Sequence, residues 1–159
     1  QGVVGQAVEE FARLLALPYP GGPALAKLAE HGDAREFSFP RPMIDSKDDD
    51  FSFSGLKTSV FYAIRDRQLS EQERADVAAS AQEAIVDVLV AKTVHAAARE
   101  GARGVVLTGG VAANIRLRER LQRALGTLPL VVPAPQYCTD NAAMIGAAAL
   151  LNIQIPELK

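Results

Sequence analysis

A run of β-favouring residues that empties into a glycine pair, and from there into a helical pattern, leaves few folds open. Here that run is Val105-Val106-Leu107-Thr108-Gly109-Gly110-Val111-Ala112-Ala113-Asn114-Ile115-Arg116-Leu117-Arg118. It reads as strand, tight turn and helix N-terminus, the arrangement that brings backbone close to a nucleotide or a phosphate. Glycines permit the close approach and any positive φ the turn needs. The unpaired N–H groups of the first helical turn favour anionic or electron-rich ligand groups. Asn114 falls in that first turn and offers both an amide donor and a carbonyl acceptor. Such turns also serve packing alone, so a ligand site and a packing turn both stand as readings here.

The chain around this turn supplies further elements of the same architecture. Ser70-Glu71-Gln72-Glu73 is a capping box. A helical pattern follows it to Glu100, in one piece or two, with Ile85, Val86, Leu89, Val90 and Val94 on a wide apolar stripe suited to a sheet. Gly101 stops it. Beyond the glycine turn a helix is expected to about Leu125, ended by Gly126, then a short strand Leu130-Val131-Val132 and a loop over residues 133–137. Thr139-Asp140-Asn141 opens a last helix, with Thr139 or Asp140 able to cap it. Ala142, Ala143, Gly146, Ala147, Ala148 and Ala149 make that helix slim, fit for close approach by another helix or by a ligand ring.

Strands separated by helices imply right-handed crossovers and a sheet that is at least partly parallel, with ligands beyond the strands' carboxyl ends. If the two strands are neighbours, the Gly109-Gly110 turn and the 137–141 loop open onto one crevice. Asn114 and Asp140 would face it, and an aspartate there suits a metal ion or a polar ligand group.

Upstream, Val3, Val4, Ala7, Val8, Phe11, Leu14 and Leu15 recur at helical spacing over residues 3–16. Pro18-Tyr19-Pro20-Gly21-Gly22-Pro23 breaks that helix, and Pro23 suits the first turn of a second one through Glu30, stopped by Gly32. Residues 36–39 and the alternating Phe51-Ser52-Phe53-Ser54 read as short strands. Residues 45–50 form an acidic loop, read as a solvated turn rather than a cation site. Residues 56–67 read as a helix with Leu56, Val60 and Ile64 on one face. Lys57 at its start can reach an anion or simply stand exposed. His31 and His95 read as surface or structural residues. Arg116, Arg120 and Arg123 share a helix face that suits a polyanion such as RNA, or a solvated face with a Glu119–Arg123 pair. The whole is expected to be one partial domain over residues 1–159, with a helical, short-strand part over 1–67 and an α-β-α-β-α core over 70–159.

Composition narrows the function classes. The chain has 159 residues, 48% hydrophobic and 23% charged, as a globular protein has. A net charge of -2 advertises no global affinity for nucleic acid, so any such contact must be local. One cysteine, Cys138, permits no internal disulfide and fits a reducing cytoplasm. No signal segment or bilayer-length apolar run is visible, so a soluble, cytoplasmic protein is expected without a membrane partner. No HExxH, Walker loop, Ser/His pair or CxxC is present. The start at Gln1, already in a helical pattern, reads as a fragment or processed portion.

Five blocks then carry a resemblance: Leu17-Pro18-Tyr19-Pro20-Gly21-Gly22-Pro23, Phe39-Pro40-Arg41-Pro42-Met43, Phe51-Ser52-Phe53-Ser54-Gly55-Leu56-Lys57-Thr58, Thr108-Gly109-Gly110-Val111-Ala112-Ala113-Asn114 and Cys138-Thr139-Asp140-Asn141-Ala142-Ala143-Met144-Ile145. In order and spacing they resemble the C-terminal half of the tRNA N6-adenosine threonylcarbamoyltransferases, formerly called O-sialoglycoprotein endopeptidases. The resemblance implies an α/β lobe of the actin, Hsp70 and sugar-kinase type, ribonuclease-H-like, with a mixed sheet and flanking helices. It implies transfer of threonylcarbamoyl from threonylcarbamoyl-adenylate to N6 of adenosine 37 in tRNA.

Carried over residue by residue, it makes Asp140 a ligand of one divalent metal of iron or zinc type, acting as a Lewis acid. Asn114 and Gly22 become adenylate-binding residues, and Gly109 and Gly110 shape the turn beside the nucleotide. Glu9 stands where the family usually has a ribose-binding aspartate; it keeps the charge and reaches one methylene further. The implied partners are tRNA, a paralogous subunit and an ATPase subunit, with a homo- or heterodimer.

Two departures accompany this. Gln1-Gly2 replaces an acidic pair, and the half carrying the family's His-x-x-x-His metal ligands lies outside this sequence. Imidazole nitrogens supply much of a transition-metal site's affinity, so this stretch alone is expected to hold little metal and to be inactive. The competing expectation is a non-catalytic binding or scaffold subunit that pairs with a partner. A metalloprotease, as the old name suggests, and a generic actin-like kinase or ATPase rank behind both.

Overall fold

A 29-residue helix, α4 (Glu71–Arg99), is the element on which the others are built. The computed structural model describes residues 2–138 and 142–154. Before α4 come α1 (Val3–Leu14), α2 (Gly21–Ala29) and α3 (Ser54–Ile64). After it come β1 (Val105–Val106), α5 (Ile115–Leu125), β2 (Leu130–Val131) and α6 (Ala142–Gln154), with short 3-10 turns at Gly110–Ala113 and Pro135–Tyr137. The described residues make an α/β chain that is mostly helical, and none of its helices is long and apolar enough to cross a membrane.

Both ends of α4 are set by local chemistry. Ser70 Oγ accepts from the Glu73 N–H while Glu73 Oε2 accepts from the Ser70 N–H at 2.9 Å, which satisfies two orphan donors reciprocally. At the other end Gly101 takes φ +60°, and the N–H groups of Gly101 and Ala102 return to the carbonyls of Ala98 and Ala97. Between these caps the helix is unbroken. Residues 75–81 are buried on every side, because their small side chains let α1 and α2 approach along their length. The chain leaving α2 passes so close that a Cβ on Gly32 would lie 2.0 Å from the Ala75 carbonyl oxygen.

Two apolar clusters share α4. The first gathers Phe11 and Leu15, Leu25, Leu56 and Val60, with Val77 and Val88 of α4. The second packs Val86 and Val90 against Leu117, Leu121 and Leu125 of α5, with Val105, Leu107 and Leu130 behind them. The apolar stripe expected to meet a sheet therefore meets a helix as well as two strands.

Several expected elements are redrawn. Residues 36–39 form no strand: Ser80 of α4 accepts from the Phe37 N–H and donates to the Asp33 carbonyl, and Asp76 accepts from the Asp33 N–H at 2.7 Å. Side chains of α4 thus take the backbone bonds that a ladder would have needed. Residues 51–53 are irregular too, and α3 starts at Ser54, so Phe53 is buried without a strand partner. Among the described residues the sheet is one parallel pair, Val105 opposite Leu130 and Val106 opposite Val131. α2 begins at Gly21, ahead of Pro23, and α1 ends at Leu14 with Ala16 at φ +53°. In α6, residues 142–151 are exposed, and the described residues do not make the close helix contact its small side chains led one to expect.

Candidate functional site

The neighbouring strands run parallel, so the turn after β1 and the loop after β2 leave from the same end of the pair. The condition for a shared crevice is met as far as the described residues go. Asp140, the residue expected to face Asn114 across it, lies outside them, as do Thr139 and Asn141.

Gly109 has φ +86°, a conformation that strains any L side chain. Its carbonyl accepts from the Ala112 N–H at 2.9 Å, which closes a 3-10 turn before the helix proper. Gly110 opens that turn, and a Cβ added there would meet no protein atom within 4 Å. Packing in this chain therefore gives no reason for glycine at 110; the space in front of it is open.

Because the 3-10 turn intervenes, Asn114 is the N-cap of α5 rather than a residue of its first turn. Its Oδ1 accepts from the Leu117 N–H at 2.9 Å, and its Nδ2 donates to Gln82 Oε1 at 2.7 Å. Both polar ends of the side chain are engaged, one holding the helix start and the other tying it to α4. Arg118 joins the two loops: its guanidinium donates to the Ala112 carbonyl and reaches Cys138 Sγ at 3.4 Å. Cys138 is buried and leans on the carbonyls of Pro133 and Ala134. Arg118 lies on a different face of α5 from Arg116 and Arg120, one helical turn after the cap residue Asn114, and that spacing is its signal in the sequence.

Glu9 and the glycine pair after α1 form a second part of the region. Both carboxylate oxygens of Glu9 accept from the Gly21 N–H at 3.0 Å, and Pro20, the residue at the N-cap of α2, has no side-chain cap of its own. Glu9 thus caps a neighbouring helix from a distance and puts its charge at the positive end of that helix. Gly21 is the glycine this contact needs, since a Cβ there would lie 2.5 Å from Ala12 Cβ and 2.7 Å from Glu9 Oε2. Gly22, the residue singled out from sequence, has room: a Cβ would sit 3.8 Å from Val8 Cγ1. An open groove of about 570 Å³ runs along Glu9, Arg13, Tyr19 and Gly21. α1 also packs against the Gly110–Ala113 turn, which makes the two parts of the region neighbours.

The arginine face of α5 is not free. Arg116 forms a two-pronged bond with Glu83 at 2.8 and 2.9 Å. Arg120 pairs with Glu83 and, at 2.7 Å, with Asp87, which also holds Arg41. These guanidiniums bind α5 to α4, so the expected polyanion surface is largely spent within the fold; the Glu119–Arg123 pair does not form. Among the described residues no three His, Cys, Asp or Glu side chains converge as a metal site needs, and His31 and His95 are both exposed. The described residues therefore do not fit a bound transition metal by themselves.

A lobe of this kind, with two parallel strands feeding loops on one side and a capped helix after a glycine turn, suits a nucleotide-sized polar ligand. The family model of the tRNA N6-adenosine threonylcarbamoyltransferases (TsaD) matches residues 1–147, and the chain belongs to that family. A relative so named from Bordetella pertussis is 53% identical over 157 residues, 94% of this chain and 45% of that protein. Those from Moorella thermoacetica and Thermosipho africanus are 51% and 46% identical over 91% of this chain and 44% of theirs. The chain thus spans somewhat under half the length of the curated relatives it matches.

Proposed function

We propose that this chain is the adenylate-facing part of a transferase that moves threonylcarbamoyl from threonylcarbamoyl-AMP to N6 of adenosine 37 in tRNA. Family membership carries the reading, and the shared exit of the two loops from one parallel pair supports it. In the reaction the adenine N6 attacks the carbamoyl carbon. The new N–C bond forms, the bond to the AMP phosphate oxygen breaks, AMP leaves, and N6 gives up a proton. The chain's own residues would bind and orient: the Gly109-Gly110 turn lets the nucleotide approach backbone, Asn114 contacts the adenylate, and Glu9 with Gly22 borders the ribose. The wider fold would be the actin- and Hsp70-like lobe, and a paralogous subunit and an ATPase subunit would be partners.

A divalent metal of iron or zinc type would take Asp140 as one ligand and its other ligands from outside the residues described, so no step is routed through it. The decisive experiment supplies labelled threonylcarbamoyl-AMP and unmodified tRNA to a protein of the relatives' full length carrying this sequence, together with the paralogous and ATPase subunits. Label in adenosine 37 is expected; its absence with an intact, nucleotide-binding protein overturns the reading. One observation favours a non-catalytic scaffold instead: Asn114 and Glu9 already have protein partners for their polar atoms. A scaffold would bind its partner and leave the label in the donor.

A further inference from the structure

At the C-terminal ends of α1 and α3 lies a recess that adjoins the groove along Glu9 and shares Ala16 with it. Its volume is about 350 Å³, within the roughly 300–1,000 Å³ usual for ligand pockets. Leu14, Leu15 and Ile64 line it with apolar surface, and Arg65, Arg67 and Arg74 line it with charge. No carboxylate is among its lining residues. Phe61, also on the lining, keeps 44% of its surface exposed, and Tyr62 beside it keeps 59%.

The two rings meet edge to face with centroids 5.6 Å apart, and the Arg65 guanidinium sits 4.5 Å from the Tyr62 centroid. Arg65 and Arg67 do pair with Asp66 and Glu73, but those are surface contacts, and Asp66 is 80% exposed at its side chain. Pairs of that kind contribute little and give way to a better anion. Arg74 donates to the Leu15 carbonyl, and no carboxylate among the described residues pairs with its charge.

We propose that this recess binds an unpaired nucleotide of RNA, the base against Phe61 and the flanking phosphates on Arg67 and Arg74. Exposed rings interleaved with guanidiniums are what a single strand requires, since every base has a π-face and every nucleotide brings a phosphate. A duplex cannot deliver a base into a recess without unstacking it. An acidic peptide would satisfy the cations and leave both rings in water. The proposal rests on the tRNA-modifying reading above and adds to it a contact surface beside the groove along Glu9.

The test is fluorescence anisotropy of the chain with a labelled single-stranded RNA 12-mer. Phe61→Ala and the pair Arg67→Gln/Arg74→Gln are compared with the parent, their folding checked by circular dichroism. Binding should weaken roughly tenfold with each change, and roughly tenfold for the parent between 50 and 200 mM salt. Duplex RNA of the same sequence should compete poorly. No binding by the parent, unchanged affinity in folded variants, or displacement by poly-glutamate at lower concentration than by RNA would overturn the proposal. The transfer assay on the full-length protein separates the two ideas. Transfer that survives Phe61→Ala and the arginine changes undiminished sinks the recess and leaves the transferase; RNA binding by the recess in a protein that transfers nothing does the reverse.

Discussion

At the scale of single residues, the side chains that family likeness assigns to a ligand are the ones this fold uses to start helices. Asn114 caps α5 and Glu9 caps α2. Asn114→Ala should therefore cost about 1 kcal/mol of stability from the lost cap, before any ligand is considered. Asn114→Asp keeps the cap acceptor, turns the donor toward Gln82 into a second acceptor and adds a negative charge that an adenylate phosphate would feel. Adenylate affinity that falls in the aspartate variant, with its melting temperature held, marks ligand contact; a fall only in the alanine variant marks a damaged helix start. Gly21→Ala should be worse than Glu9→Gln, because the added methyl collides with Ala12 Cβ whereas the glutamine still offers an acceptor. Thermal unfolding would rank the two, and the opposite order would remove Glu9 as a distant cap.

At the scale of elements, the acidic loop over residues 45–50 is solvated as expected, with Asp45 and residues 47–50 exposed, and it is also strapped to α4. Lys92, 4% exposed, donates to Ser46 Oγ at 2.7 Å and to the Asp48 carbonyl at 2.8 Å, and Arg99 grips Asp49. The Lys92 hydrogen bond holds the Asp48 carboxyl below its ordinary value, and the Arg99 bond does the same for Asp49. A carboxylate lowered on folding adds stability that is present above its unfolded value near pH 4 and disappears as pH falls through the folded one. The strap should accordingly hold at pH 5 and above and loosen below about pH 4, read by hydrogen exchange of residues 45–50. Lys92→Met should loosen it at neutral pH as well, with faster proteolytic cutting in the loop. At the end of α1, Ala16 adopts φ +53° in a capping turn closed by the Leu17 N–H on the Ala12 carbonyl. Ala16→Gly should raise stability by about 0.5 kcal/mol, since glycine takes that conformation without a Cβ penalty but loses more freedom on folding.

At the scale of the whole molecule, the least covered part among the described residues is the strand pair and α6. Parallel strands are ordinarily covered on both faces, yet Val106 and Val131 are 68% and 58% exposed. On α6, Ile145, Leu150 and Leu151 are exposed as well. The relatives are about twice as long as this chain. Hydrogen exchange along residues 142–151 and dye binding to apolar surface should both fall when the sequence is placed in a protein of the relatives' full length. Equal exposure in both forms would mean that the extra length packs elsewhere.

What the amino-acid order determined by itself is whatever short-range physics decides. The capping box at Ser70, the glycine stops at 101 and 126, the face formed by Leu56, Val60 and Ile64, and the strand–turn–helix at 105–118 all follow from neighbours a few residues apart. Only the tertiary structure decided the fate of the polar groups. Residues 36–39 looked like a strand, but Asp76 and Ser80 of a distant helix took the backbone bonds at Asp33 and Phe37. Arg116 and Arg120 looked free until Glu83 and Asp87 came alongside. Gly21 rather than Gly22 turned out to be the crowded glycine because α1 folds back over it. A hydrogen bond or ion pair needs its partner within about 3 Å, and nothing local in a chain says which remote residue will arrive there.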